Sequence, residues 1–423
     1  MAGLVTLVTG DETLTGDPTM HAIAVLQKLL RRSIPGLHAK RLTTLMDVVA
    51  SAVTRRRLTL CELARGLSTT CSVRHRIKRT DRLLGNRLLH TERICFYQLL
   101  CDLLIGEYAE PIILVDWSDL KPDRSLLLLR ATVWTHGFAL PIYEEVHPIR
   151  LQNSPRVERE FLATLKGMLA DTVRPIIVTD AGFRGPWFKA VEYLGWHWVG
   201  RIRGRTFIKV RAGRWVGCKT LFQKASAVPR ELGVLQMIRS RPVTGRIVLF
   251  HKPPQGRRKL NLHGERSKSN ESNKCARRES EPWLLGASIS LNHKTALDIV
   301  NLYRTRMRIE QSFRTLKSHQ FGFSFEDSQT QAAVRLQMLV LIHALAMLVL
   351  WIAGLVADQN HLRPAFESNA RRTRTTISII TLGWLALTEH AVRLSDDNFF
   401  NALRPPPPPP DFPSHLHRKM SEI

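Results

Sequence analysis

Carboxylates are scarce in this sequence. Its 423 residues hold 36 Asp plus Glu against 62 Lys plus Arg, a formal charge of +26 with a pI near 10.7. The basic residues are spread along the whole chain rather than confined to a tail, which favours a polyanion contacted by several regions. Nucleic acid comes first; an anionic membrane surface and a ribosomal-type structural role are the alternatives. Cysteine is also sparse. None of the six (Cys61, Cys71, Cys95, Cys101, Cys218, Cys275) stands in CxxC spacing, so neither a zinc site nor a disulfide framework is signalled, and reduced cytoplasmic thiols fit best. The opening MAGLVTLVTGDETLTG lacks a basic n-region and carries Asp11 and Glu12, so no signal peptide is expected. Long hydrophobic runs are limited to Leu336 to Ala357, which is long enough to span a bilayer. Gln337 and His343 within it, Arg335 before it and the lack of any second such run favour the core helix of a large α/β domain over a membrane span.

With 44% hydrophobic residues the chain can bury a sizeable core and has length for two or three domains. Residues 1–110 read as helical. Within them 58–86 has the outline of a helix-turn-helix: Thr59 as N-cap, a Ser-Thr-Thr turn, then a basic helix with Arg76, Lys78 and Arg79. A helical hairpin with a solvated basic face is the equally weighted alternative. Residues 111–204 alternate strands and helices as in a mixed α/β sheet. LLLLRATVWTHG and FALPIYEEVHP form a hairpin, while PIILVDWSDL and RPIIVTDAGF are apolar runs that end in Asp116 and Asp180. Residues 205–282 form a β-rich, basic insertion whose 251–280 part is poorly patterned. Strand character returns at Trp283, helices run to about 395, and 396–423 is a proline-rich tail.

One stretch is electrostatically unusual. NLYRTRMRIEQSFRTLKS, Asn301 to Ser318, holds a single acid, Glu310, among arginines. Wound as one helix at 100° per residue, it places Tyr303, Arg306, Glu310 and Lys317 within roughly 60° of each other. Ile299, Leu302, Ile309, Phe313 and Leu316 form the core stripe beside them. A surface helix laced with i,i+4 pairs is the bland alternative. Phenol, guanidinium and ammonium groups all contact phosphate, so an acid among them suits a metal ligand facing a phosphodiester. Each strand-end aspartate alone is as readily a turn or cap residue. Together with Glu310, two carboxylates on neighbouring strands need cations to offset their repulsion. Hard Mg²⁺ or Mn²⁺ suits them, and two ions about 4 Å apart would serve an in-line phosphoryl displacement.

The spacing Tyr303-x2-Arg306-x3-Glu310-x6-Lys317 resembles the Y-R-E-K signature of bacterial insertion-sequence DDE transposases. LVDWSDL, IVTDAGFRGPWFKAVEYLGW and HRIKRTDRLLGN are similar to segments of the branch found in the tetracycline-resistance composite transposon. The resemblance implies an RNase H-like domain with a β-rich insertion, preceded by a helical DNA-binding domain and acting as a homodimer on double-stranded transposon ends. It implies Asp116, Asp180 and Glu310 as metal-binding catalytic residues, and Tyr303, Arg306 and Lys317 as phosphate contacts. Trp283 falls where a relative stacks a tryptophan on a flipped base, with a core tryptophan as the alternative; at Met307 the chain departs from that relative, which has tryptophan. Arg201 and Arg203 are candidate backbone contacts, with solvated arginines as the alternative. The implied activity is cut-and-paste DNA transposition through strand cleavage, hairpin formation and strand transfer, in a bacterial cytoplasm at the nucleoid. A metal-dependent nuclease of the same fold and a non-catalytic DNA-binding protein are the competing readings.

Overall fold

The computed structural model describes residues 17–135, 137–210, 213–251, 269–270, 272–273, 280–320, 322–367 and 376–397. The proline-rich tail beyond 397, most of the 251–280 basic loop, residues 1–16 and His136 of the expected hairpin turn lie outside the described residues.

Five helices come first: α1 (Pro18–Ser33), α2 (Ala39–Arg55), α3 (Leu60–Arg65), α4 (Val73–Leu84) and α5 (Arg87–Leu104). Their starts follow capping chemistry. Asp17 accepts from the Thr19 amide ahead of Pro18 at the first turn, Thr59 accepts from the Glu62 amide, and Asn86 accepts from the Leu89 amide. Thr59 thus caps α3 as its spacing suggested. The connection from α3 to α4 covers 66–72, longer than the three- or four-residue turn of a compact helix-turn-helix.

The chain then enters β1 (Ile112–Asp119), β2 (Leu126–Trp134) and β3 (Ala139–Pro148), an antiparallel meander. Helix α6 (Pro155–Gly167) leads to β4 (Ile176–Thr179), and α7 (Gly185–Tyr193) leads to β5 (His197–Ile202). β4 lies parallel to β1, and β5 parallel to β4. The order β3-β2-β1-β4-β5, with a helix after β3 and another after β4, is an RNase H-like mixed sheet. Beyond it run β6 (Phe207–Lys209), β7 (Trp215–Gly217), β8 (Arg230–Met237), β9 (Val243–Phe250) and β10 (Trp283–Ala287). These do not make a second sheet. β10 pairs antiparallel with β5, β9 with β10, β8 with β9 and β6 with β8, giving one ten-stranded sheet.

Helices α8 (Ala296–Thr305), α9 (Met307–Lys317), α10 (Ala333–Gln359), α11 (Arg363–Phe366) and α12 (Ile379–Thr388) complete the fold. α9 packs over β1 and β3, and α8 over β4, β5 and β10. α7 covers the other face, with Phe188 against Gly200, where a Cβ would come within 2.7 Å of the ring. Both faces are covered, which explains the near-continuous apolar runs of β1 and β4.

α10 is the long apolar run. It is apolar all round because it is enclosed all round, by α2, α5, β3 and α12. Helix α12 approaches it at van der Waals closeness: a Cβ on Gly383 would fall 1.9 Å from the Leu350 carbonyl oxygen, and one on Gly354 2.1 Å from that of Ile379. The N-terminal helices and the sheet therefore share one continuous core.

Two local expectations are corrected. Asp116 does not end its strand, because pairing with β2 continues to Asp119. And Asn301 to Ser318 is not one helix: α8 ends at Thr305 and α9 starts at Met307. Neither Gly nor Pro marks the break. The Thr305 hydroxyl donates to the Leu302 carbonyl at 2.6 Å, and the Arg306 and Ile309 amides bond three residues back instead of four. Back-bonding of this kind bends helices.

Candidate active site

Parallel pairing of β1 with β4 sets Val115 opposite Thr179, so the next residues, Asp116 and Asp180, emerge side by side. Asp116 Oδ1 accepts from the Trp117 amide at 2.8 Å, and Asp180 Oδ1 accepts from the Gly182 amide at 2.7 Å. The second bond is an Asx-type turn, so Asp180 serves its loop as well as facing Asp116. Burial, reinforced by the charge of Asp180, pushes the Asp116 carboxyl up to about 8, although the Arg306 guanidinium pulls the other way.

Glu310 arrives from α9. Arg306 links it to the strands: Nη2 donates to Glu310 Oε1 at 2.7 Å and Nη1 lies 3.6 Å from Asp116 Oδ2. Lys317 donates to Ser118 Oγ at 2.9 Å, two residues along the same face of β1. Its ammonium is destabilised by burial. The stripe Ile299, Leu302, Ile309, Phe313 and Leu316 is buried as expected, which turns this seam toward the aspartates.

The aromatic neighbours are packed rather than displayed. Tyr303 is buried, its ring edge-on to Trp283 at 5.0 Å, and burial raises its phenol above the ordinary range. Trp283 is half-buried between Tyr303 and Phe250. Arg201 donates to the carbonyls of Glu281 and Pro282, and Arg203 Nε to Glu281 Oε2 at 2.6 Å. Both arginines thus grip the approach to β10 and are not merely solvated. Met307 is exposed at the start of α9.

The donor set suits a hard divalent ion, since all three acids offer only carboxylate oxygen and Asp116 is short of positive charge. Among the described residues, however, no three His, Cys, Asp or Glu side chains stand close enough together to hold one. Arg306 lies between Asp116 and Glu310 and contacts both.

The basic residues of α4 separate into two sets. Arg76 donates to the Arg65 and Leu67 carbonyls at the end of α3, and Arg79 pairs with Asp47 on α2. Lys78 is exposed, as are Arg74 and Arg82 one turn to either side. Arg76, Lys78, Arg79 and Arg82 of α4 line an open groove of about 710 Å³ with Lys40 and Arg41 of α2.

One constellation escaped the sequence. Arg130 and Glu144, both fully buried, form an ion pair beneath α9 (Nε to Oε1 2.6 Å), and Arg130 Nη1 donates to Ser312 Oγ at 3.0 Å. The signal available was an arginine inside the apolar run LLLLRAT and an adjacent pair of acids, Glu144 and Glu145, inside PIYEEV.

Residues 109–347, more than half of the chain, match the family model described as the transposase DDE domain. The chain belongs to the DDE transposases. No curated protein matches it. Membership makes the protein a transposase with DNA as its substrate, in a family whose catalytic domains use divalent metal ions.

Proposed function

We propose that this transposase moves an insertion sequence by cut-and-paste, with Asp116, Asp180 and Glu310 as its catalytic carboxylates. It would fall in the Y-R-E-K group, near the transposase of the tetracycline-resistance composite transposon. The observation that carries this reading is the Arg306 contact with both Asp116 and Glu310, which joins acids 194 residues apart in sequence, one on β1 and one on α9.

Mg²⁺ or Mn²⁺, two ions in this reading, supplies Lewis acidity to attacking and leaving oxygens when bound. The protein does the rest. Asp116 and Asp180 hold the strand side of the site, and Glu310 closes it from α9. Arg306 and Lys317 turn to the phosphates flanking the scissile bond. Trp283, half-buried against the buried Tyr303, would offer its remaining face to an unstacked base. Water cleaves the 3′ end, the freed 3′-OH attacks the opposite strand to give a hairpin, water reopens it, and the 3′-OH then attacks target DNA. Each step is an in-line displacement at phosphorus, so one carboxylate site serves all of them.

Residues 1–110 would bind the transposon end, with Arg76, Lys78 and Arg79 on the DNA-facing helix. Residues 205–282 would be an insertion within the RNase H-like domain of 111–204 and 283–395. A homodimer would pair two ends at the bacterial nucleoid, in the cytoplasm.

The test is Glu310→Gln in the full chain, on supercoiled plasmid with Mn²⁺ and on duplex DNA in a binding assay. Nicking should disappear while duplex binding stays. Nicking at the wild-type rate would overturn the carboxylate assignment.

A further inference from the structure

Asp116, Arg130 and Glu144 stand in register on three neighbouring strands: Asp116 pairs with Arg130 across β1 and β2, and Arg130 with Glu144 across β2 and β3. Directly opposed residues of a sheet share a face. The row lies beneath α9, the helix that carries Glu310. Arg130 is fully buried and makes three kinds of contact there. Its Nε donates to Glu144 Oε1 at 2.6 Å, its Nη1 donates to Ser312 Oγ at 3.0 Å, and its guanidinium lies 4.9 Å from the Phe313 ring centroid.

Glu144 is anchored in turn. Tyr97 on α5 donates to its Oε2 at 3.3 Å, and Arg93 donates to its backbone carbonyl at 3.2 Å. A buried ion pair is poor evidence of a stability role, because apolar residues of similar size usually serve as well or better. What this one adds is direction. Ser312 lies two residues after Glu310, and its hydroxyl is the point at which the sheet's charged row grips the helix. Apart from this bond, the Arg306 contact with Asp116 at the start of α9 and the Lys317 bond to Ser118 Oγ in its last turn, the interface between α9 and the sheet is apolar stripe, which resists separation but does little to stop sliding.

We propose that Arg130 is a positioning residue of the transposase: through Ser312 it fixes the height of α9, and so of Glu310, above Asp116. The proposal rests on the reading of Glu310 as a metal-facing carboxylate. Groups that orient metal-facing residues typically matter at about the tenfold level or more for metal affinity.

The experiment uses the full chain and follows plasmid nicking against Mn²⁺ concentration, with thermal melting in parallel. Two changes are compared with wild type: Ser312→Ala, and the double change Arg130→Met with Glu144→Leu, which removes the charged row without leaving a lone buried charge. Melting should shift by only a few degrees. The half-saturating Mn²⁺ concentration should rise, by about tenfold in the double variant and less in Ser312→Ala. A purely structural role would lower the melting point and the active fraction and leave half-saturation in place; that result overturns the proposal. If the double variant fails to fold, Ser312→Ala decides alone. Glu310→Gln run alongside keeps the two readings apart. If it nicks normally, the metal-facing reading fails and the positioning role fails with it. If it is silent while the other variants keep wild-type half-saturation, only the positioning role is lost.

Discussion

Arg306 Nη2 donates to Glu310 Oε1 at 2.7 Å, so the helix acid is held by the arginine one turn before it while that arginine also reaches Asp116. The guanidinium acts as a stand-in cation in the DNA-free protein. Glu310 is 44% exposed, so its share is that of an ordinary i,i+4 pair, about 0.5 kcal/mol; the less exposed contact to Asp116 adds to it. Arg306→Gln should therefore bind Mn²⁺ a few-fold more tightly without DNA, read from free Mn²⁺ by electron paramagnetic resonance. Unchanged or weaker binding would show that Arg306 does not compete for the site.

The raised Asp116 carboxyl gives a pH signature. Between about pH 4 and the folded value of about 8, the folded protein keeps a proton that the unfolded chain has released. Stability from this group is therefore highest at low pH, falls across that window and levels off above it. Asp116→Asn removes the slope. In chelator, its melting temperature should exceed wild type at pH 8 by several degrees, and the two should converge near pH 4. At about 1.4 kcal/mol per pKa unit, the pH 8 difference is on the order of a few kcal/mol. Equal melting at both pH values would contradict the burial argument.

Within α4 the basic residues should divide by partner. Lys78→Ala should weaken duplex binding, lower the salt dependence by about one counterion and leave melting unchanged. Arg79→Ala breaks the pair with Asp47 and should cost stability, about 1 kcal/mol for a part-exposed bond of this type. Salt-titrated fluorescence anisotropy and thermal melting separate the two effects. Identical behaviour of the two variants would refute the division.

The crossing of α10 and α12 leaves no room for a methyl group. Gly383→Ala would drive its Cβ into the Leu350 carbonyl, and backbone cannot step aside as a side chain can. A loss of at least ~2 kcal/mol, read by urea denaturation, is the expected outcome. Tolerance of alanine would mean that the two helices separate easily.

The sequence made some of this legible and hid the rest for physical reasons. Asp116 and Asp180 stood out because each follows a short apolar run, and Glu310 because an acid amid arginines is locally anomalous; the register of β1 and β4 and the Arg306 contacts then bring the three toward one another. Thr59 was readable as a cap because capping is local. The break at Arg306 was hidden, since it depends on a Thr305 hydroxyl bond rather than on Gly or Pro. The joining of β6 to β10 onto β5 was hidden too, because strand pairing is non-local and the pattern of a strand does not name its neighbour. Arg130 stood alone in one apolar run and Glu144 beside Glu145 in another, and only the register between β2 and β3 brings Arg130 and Glu144 together.

The shared core has a consequence for how the chain is made. Helices α1 to α5 leave the ribosome well before α10, yet much of the surface they pack on belongs to it, more than two hundred residues later. Helices synthesised early are thus among the last to be finished. A nascent chain stopped before Ala333 presents them with an open apolar face, so the N-terminal region reaches its final form only after the residues around Glu310 have been translated.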